Sequence, residues 1–380
     1  FKTVPREELY DRTGIQLISL NTLFQLEAMV KNDADTLARA KTLLFMPDLF
    51  AYFLTGAKRA EYTVASTSQL LDPKTGGWAR ELLRQLKIPD ALLPELIEPG
   101  EAYGTLSPEI CEELGCPAVP VIAVATHDTA SAVVAVPTQE SDFIYISCGT
   151  WSLFGTELKK PVINETSRRF NLTNEGGYGR TVRFLKNIMG LWLIQESRRQ
   201  WIREGADVSY ADLEREAVTA KPFACFIDPD DARFAPPGNL PRRVQEFCRE
   251  TGQKVPQTRG EIMRCIYESL AMKYRCTRRS IEEVTGRSYR VIHMIGGGTK
   301  DRLLCQMAAD ACGCPVIAGP IEATAAGNLA VQLIALGELG GLEQARSVIA
   351  ASEQPKHYEP QNTKAYDVAC GRFLKITVQS

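Results

Sequence analysis

The stretch that most constrains this chain is Val119-Pro-Val-Ile-Ala-Val-Ala-Thr-His-Asp-Thr-Ala-Ser-Ala-Val133, where an apolar strand pattern halts at two polar side chains and a helical pattern begins. Such a junction puts His127 and Asp128 at the carboxyl end of a strand. In open α/β sheets that edge is where ligands bind, because loops and helix N-termini converge there with unpaired backbone donors. Asp128 has a second use on the same pattern. It can N-cap a helix over 129–136 by accepting a bond from a first-turn N–H, the commoner employment of an Asp in that position. The stretch alone leaves both uses open.

At 380 residues the chain is long for one core, and 44% hydrophobic with 24% charged residues is the composition of a globular protein of two domains. The formal net charge of −2, with no Lys/Arg block, supplies no basic surface for a phosphate backbone or an anionic membrane, so nucleic acid and membrane are excluded as expected partners. No apolar run reaches the roughly 20 residues that span a bilayer, and no signal-like start is legible, so a cytoplasmic location is expected. The 11 cysteines are an odd number without paired short spacings. Cys305, Cys312 and Cys314 cluster without a further ligand nearby, so no resident metal is expected. Cys248 and Cys265 can bridge only if two helices pair there, which sequence does not decide.

Along the chain, residues 1–115 read mostly as helices, over 21–30, 33–44, 45–54 and 78–86, with Pro47 suited to a first turn and Gly56 to a stop. The polar run Pro137-Thr-Gln-Glu-Ser141 marks a boundary, giving a first domain over 1–137 and a second over 138–380. Phe143-Ile-Tyr-Ile-Ser147 and Trp151-Ser-Leu-Phe154 are two β runs around Cys148-Gly149-Thr150, a hairpin whose glycine and hydroxyl suit phosphate oxygens but which equally makes an ordinary turn. Asn174-Glu-Gly-Gly177 reads as a loop. A helix is expected over 186–201, with Asn187, Leu191 and Gln195 four apart on one face, so that two amides on an apolar stripe seek a ligand or a backbone partner. A long amphipathic helix over 261–284 has its charges on a solvated face. The strand 290–295 runs into Gly296-Gly297-Gly298 and a helix over 301–312, a strand–glycine–helix unit that can receive an anion or a planar base. It is neither a Gly-x-Gly-x-x-Gly fingerprint nor a Gly-Lys-Thr loop. A further strand over 314–318 and a helix over 322–336 follow, and the tail beyond 352 is polar until 373–377.

Together, Ala125-Thr-His-Asp-Thr-Ala-Ser-Ala-Val133, Ile146-Ser-Cys-Gly-Thr-Trp-Ser152, Asn174-Glu-Gly-Gly177, Lys186-Asn-Ile-Met-Gly-Leu-Trp-Leu193, and Gly296-Gly-Gly298 with Ala318-Gly-Pro-Ile-Glu-Ala323 resemble the FGGY carbohydrate kinases over residues 10–336. The resemblance implies an α/β, actin-like (ribonuclease-H-like) fold of two lobes, with ATP, Mg²⁺ and a sugar as partners. L-rhamnulose is the ketose implied, with L-fuculose and D-xylulose as rivals. It implies further that Asp128 is the base accepting the proton of the attacking hydroxyl, that His127, Thr129 and Asn187 contact the sugar, that Gly149 and Thr150 face the terminal phosphates, that Gln195 reaches the nucleotide, and that Gly296, Gly297 and Gly298 line the adenosine pocket. Phosphoryl transfer needs alignment, charge stabilisation and a carboxylate for the proton, and these residue types supply them.

The family opens on a strand–turn–strand phosphate hairpin, and only one such device is present, at Gly149 and Thr150. The first lobe is therefore expected to be incomplete by about a hundred residues, which would hold one wall of the sugar site and an acid that positions Mg²⁺. These residues by themselves are expected to be a poor or inactive kinase. A nucleotide-binding module without catalysis is the rival from another class. A nicotinamide-dependent dehydrogenase lacks the acid that would take the ribose. Oligomeric state is not legible.

Overall fold

The computed structural model describes residues 1–377. Its strands, in chain order, are β1 (Arg59–Glu61), β2 (Leu71–Asp72), β3 (Gly77–Trp78), β4 (Glu95–Ile97), β5 (Ala102–Thr105), β6 (Pro120–Ile122), β7 (Ile144–Cys148), β8 (Trp151–Leu158), β9 (Thr173–Gly176), β10 (Val182–Met189), β11 (Ile292–Ile295), β12 (Val316–Ala318) and β13 (Lys356–Tyr358). The chain divides into two compact units built from discontinuous segments. Phe1–Asp142, Thr156–Lys186 and Glu322–Ser352 form the first; Phe143–Gly155, Asn187–Ile321 and the described residues after Ser352 form the second.

The first unit begins with the expected helices. Thr22–Asn32 and Ala34–Arg39 turn Leu23, Leu26 and Leu37 into a core shared with Leu70, Leu82 and Leu83. Met46–Thr55 starts on Pro47 and stops at Gly56, whose φ of 75° suits glycine. Two helices are shorter than the periodicity predicts. The second stops at Arg39 because Ala40 is extended, and the helix expected over 78–86 is Arg80–Gln85 because Gly77 and Trp78 pair in a small hairpin. Strand β6 pairs antiparallel with β5 in a two-stranded ladder and ends at Ile122, so Asp128 follows an extended link of several residues rather than a strand end.

Asn174-Glu-Gly-Gly177, expected as a loop, contributes strand β9, antiparallel to the first half of β10. Gly176 is needed there because a Cβ would come within 2.5 Å of the Tyr62 ring. The helix Ala323–Ala335 packs on Asp128–Val134, with Gly327 lying directly against the Ser131 carbonyl. Arg346 donates to the carbonyls of Val133 and Val134 at 3.1 and 3.4 Å, which satisfies the C-terminal end of that short helix.

In the second unit the strand order is β13-β12-β11-β7-β8. Strands β7, β11 and β12 are parallel, as expected of buried apolar runs joined by helices, and β13 adds antiparallel to β12. The 27-residue helix Arg259–Thr285 starts at a Thr258–Glu261 capping box and stops at Gly286. It is less solvated than its charge pattern predicts. Glu268 is fully buried, held by Arg264 at 2.6 Å, and Arg275 is 6% exposed and donates to the Ala311 carbonyl.

Candidate active site

The residues singled out by sequence fall into two groups, one in each unit. The first group is His127, Asp128 and Thr129. His127, not Asp128, is the N-cap of Asp128–Val134, because its carbonyl accepts the first helical bonds from Ala130 and Ser131 at 2.7 and 3.2 Å. Asp128 is therefore the first residue inside the helix, and its side chain makes no capping bond. The carboxylate is 79% exposed; its Oδ1 accepts from the Thr129 hydroxyl at 3.1 Å.

The backbone beneath Asp128 is pinned by a carboxylate that sequence reading passed over. Glu61 is fully buried, and its Oε2 accepts from the Thr126 N–H and hydroxyl at 3.1 and 2.6 Å. The same carboxylate takes the Thr63 hydroxyl, whose oxygen in turn accepts the His127 N–H at 3.2 Å. Asp48 continues the network, accepting from the Glu61 N–H and the Tyr103 hydroxyl. Burial pushes the Glu61 carboxyl above the usual range, against the hydrogen bonds from Thr126 and Thr63. The nearest signal in the sequence is a lone acid in the small-residue run Ala60-Glu-Tyr-Thr-Val-Ala65, just ahead of a short helix.

His127 has an acid on either side. Its Nδ1 lies 3.7 Å from Glu175 Oε2 and its Nε2 3.8 Å from Asp128 Oδ1. Arg183, wholly buried on β10, pairs with Glu175 at 3.1 Å and donates from Nε to the Gly176 carbonyl. Burial, then the Arg183 guanidinium, depress the imidazole below its ordinary value, with Glu175 and Asp128 opposing. The ring beside Asp128 is consequently neutral at pH 7.

The second group is built from backbone. The β7–β8 hairpin turns at Gly149 and Thr150, and the segment after β10 is stitched to it: Gly190 and Trp192 N–H groups donate to the Thr150 carbonyl and Leu191 N–H to that of Gly149, at 3.0 to 3.1 Å. Gly190 is required because a Cβ would meet Ser152 Oγ at 2.5 Å. This places the helix Trp192–Arg203 so that Gln195 Oε1 stands 3.5 Å from the Thr150 hydroxyl. Asn187 does not share a face with Gln195 as expected. It lies on strand β10, which runs to Met189, because the apolar run from Val182 pairs as a strand and Gly190 separates it from the helix.

The glycine run abuts the same hairpin. Strands β7 and β11 are parallel neighbours with Ser147 opposite Ile295, so Cys148 and Gly296 leave the sheet side by side. Gly296 has φ 88°, and a Cβ on Gly298 would overlap the Cys148 sulfur, whereas Gly297 faces open space. Asp301 caps the following helix Arg302–Cys312 through the Leu304 N–H and accepts from the Tyr267 hydroxyl. Two glycine devices thus stand at the carboxyl ends of adjacent parallel strands, the edge of an α/β sheet where phosphate and planar ligands bind.

This arrangement defines a phosphotransferase of the actin-like sugar-kinase fold. Solved structures with that fold include the xylulose kinase of Lactobacillus acidophilus, with a TM-score of 0.77 at 18% identity over 98% of this chain and 75% of that one, and the ADP-bound glycerol kinase of Plasmodium falciparum, with 0.76 at 14% over 99% and 74%. Residues 2–135 match the N-terminal and 144–336 the C-terminal domain of the FGGY family of carbohydrate kinases. The chain belongs to that family, and ATP is its phosphoryl donor. Relatives include the rhamnulokinases of Bacteroides thetaiotaomicron, 44% identical over 98% of this chain and 76% of the relative, and of Bacillus subtilis, 41% identical over 95% and 73%. The chain thus spans about three quarters of their length. No helix among the described residues is long and apolar enough to cross a membrane.

Proposed function

We propose that this protein phosphorylates L-rhamnulose to L-rhamnulose 1-phosphate at the expense of ATP, with Asp128 as the base. The observation that supports it most is the Asp128 carboxylate, exposed at a helix start and set on a backbone that Glu61 holds from below. As the sugar oxygen attacks the γ-phosphorus, the hydroxyl proton passes to Asp128, so the carboxylate needs only position and charge. The neutral His127 ring and the Thr129 hydroxyl orient the sugar from the same turn, and Asn187 offers an amide from β10.

Gly149 and Thr150 receive the terminal phosphates at the hairpin tip, with the Thr150 hydroxyl and the Gln195 amide side by side there, and Gly296, Gly297 and Gly298 bring bare backbone against the adenosine. Mg²⁺, if bound with ATP, would supply charge neutralisation at the transferring phosphate. Asp301, the acid nearest these glycines in sequence, is engaged with Tyr267 and Leu304 and does not fit the role of its ligand. The first domain over 1–137 supplies the base and the second over 138–380 the nucleotide site. The action is cytoplasmic, on small molecules.

Coupled ADP release with L-rhamnulose, L-fuculose and D-xylulose, on the protein and on Asp128→Asn, tests the reading. Turnover selective for L-rhamnulose and lost in the variant is expected; a preference for another ketose, or an unaffected variant, overturns it. Because the nucleotide elements are tied together within one unit, nucleotide binding without sugar-dependent turnover is the second reading. Calorimetric binding of ADP with no turnover on any ketose would select it.

A further inference from the structure

Cys225, Cys248 and Cys265 come from three separate places in the chain, yet their sulfurs lie within 4.8 Å of one another, and all three are buried and free. Cys248 is on the helix Leu240–Glu250 and Cys265 on Arg259–Thr285, while Cys225 sits on the irregular segment between the helices Tyr210–Thr219 and Leu240–Glu250. That segment is clamped on both sides of the cysteine. The Phe223 N–H donates to Glu268 at 2.7 Å, Phe226 exchanges two bonds with the Gln253 amide at 2.9 and 2.8 Å, and the Ile227 N–H donates to Ser269 at 2.9 Å. Three thiols converge, and the backbone that would have to give way for them to separate is hydrogen-bonded in place.

We propose that these three cysteines form a binding site for one thiophilic d10 cation of the zinc type. Sulfurs about 2.3 Å from a shared zinc ion stand about 4 Å apart, a spacing the cluster nearly has already. Cys225 and Cys265 also line a small cavity with Lys221, Lys254, Glu261, Arg264 and Glu268, the side from which a fourth ligand would come. Zinc with three thiolates bears one net negative charge, and this cavity wall has three cations against two carboxylates, one positive charge in excess. Two ion pairs, Lys254 with Glu261 at 2.7 Å and Arg264 with Glu268 at 2.6 Å, hold those charges in place. A disulfide would use two of the sulfurs and leave the third buried beside it; a cation uses all three and ties the irregular segment to both helices.

The proposal is independent of which sugar the kinase accepts, and its test reads metal, not turnover. Reduced, metal-free protein is titrated with Zn²⁺ against a chromophoric chelator and weighed by native mass spectrometry. One equivalent is expected, with thiol protons released, three of the 11 cysteines shielded from a thiol reagent, and a higher melting temperature. Cys225→Ser and Cys265→Ser should each weaken binding at least about tenfold, the lower end of what loss of even a supporting residue costs a metal site. Three results would overturn the idea: no stoichiometric zinc on the unaltered reduced protein, equal zinc on the serine variants, or a Cys248–Cys265 disulfide in protein isolated under reducing conditions. The mass measurement needs no variant, so a poorly folding substitution cannot obscure the answer.

Discussion

In the function proposed for this protein, Asp128 in the first unit and Gly298 in the second represent two ways of making a reactive surface. Around Asp128 the chemistry resides in one exposed side chain, and the fold's contribution is to fix the backbone under it with a buried acid, Glu61, and two threonines. Around Gly298 the feature is the absence of side chains: bare backbone runs beside the end of the parallel neighbouring strand, and a Cβ on Gly298 would strike the Cys148 sulfur. The first kind of site should tolerate shape changes and fail on a loss of charge. The second should tolerate charge changes and fail on a single methyl group.

The largest effect that follows is on turnover. Asp128→Asn keeps the shape and removes the base, so kcat should fall by roughly 10²- to 10⁴-fold with ADP affinity unchanged, read by coupled ADP release and calorimetry. Parallel loss of ADP affinity would break the division between the two regions. Next is the methyl group. Gly298→Ala should weaken ADP binding by about ten- to a hundredfold and destabilise the protein by about 1–3 kcal/mol, because the new carbon overlaps a buried sulfur. Gly297→Ala, with open space around it, should melt within about 0.5 kcal/mol of the parent, and an equal cost at both glycines would show that crowding is not the cause.

A smaller and more mixed effect is expected at Glu61. Glu61→Gln keeps the volume but leaves donors from Thr126 and Thr63 poorly met, costing about 1–3 kcal/mol in denaturant titrations and lowering kcat by about tenfold while ADP still binds. Unchanged kcat would reduce Glu61 to a purely structural role. The smallest effect is electrostatic. The folded pKa of His127 lies below the ordinary imidazole value of 6.5, so the unfolded chain binds more protons between the two values. Its stabilising contribution is present above pH 6.5 and lost as pH falls toward the folded value, at up to about 1.4 kcal/mol per pH unit. His127→Gln should flatten the stability curve in that window, and an identical curve would mean that the ring is not the group titrating.

Much of both regions was legible because their signals are local. The turn at Gly149 and Thr150, the run Gly296–Gly298 before a helix, and the switch to a helix at Asp128 each announce themselves within a few residues, through backbone freedom and side-chain period. Asn187 was misplaced for the opposite reason. Its neighbours suit a helix as well as a strand, and only pairing of Val182–Leu185 with β9 decides between them. Strand β9 itself, with an Asn, a Glu and a glycine, has no strand propensity to display and is held by Tyr62 and by its ladder.

The sequence by itself determined the family and the order of the motifs, since these depend on residue types at short spacing. The tertiary structure alone decided that His127 rather than Asp128 caps the helix and that Glu61 lies beneath it. It alone also decided that Arg183 and Glu175 flank the imidazole and that three distant cysteines meet. Each of these is a contact between segments tens of residues or more apart, or depends on one, and its strength comes from burial, which no short window of sequence contains.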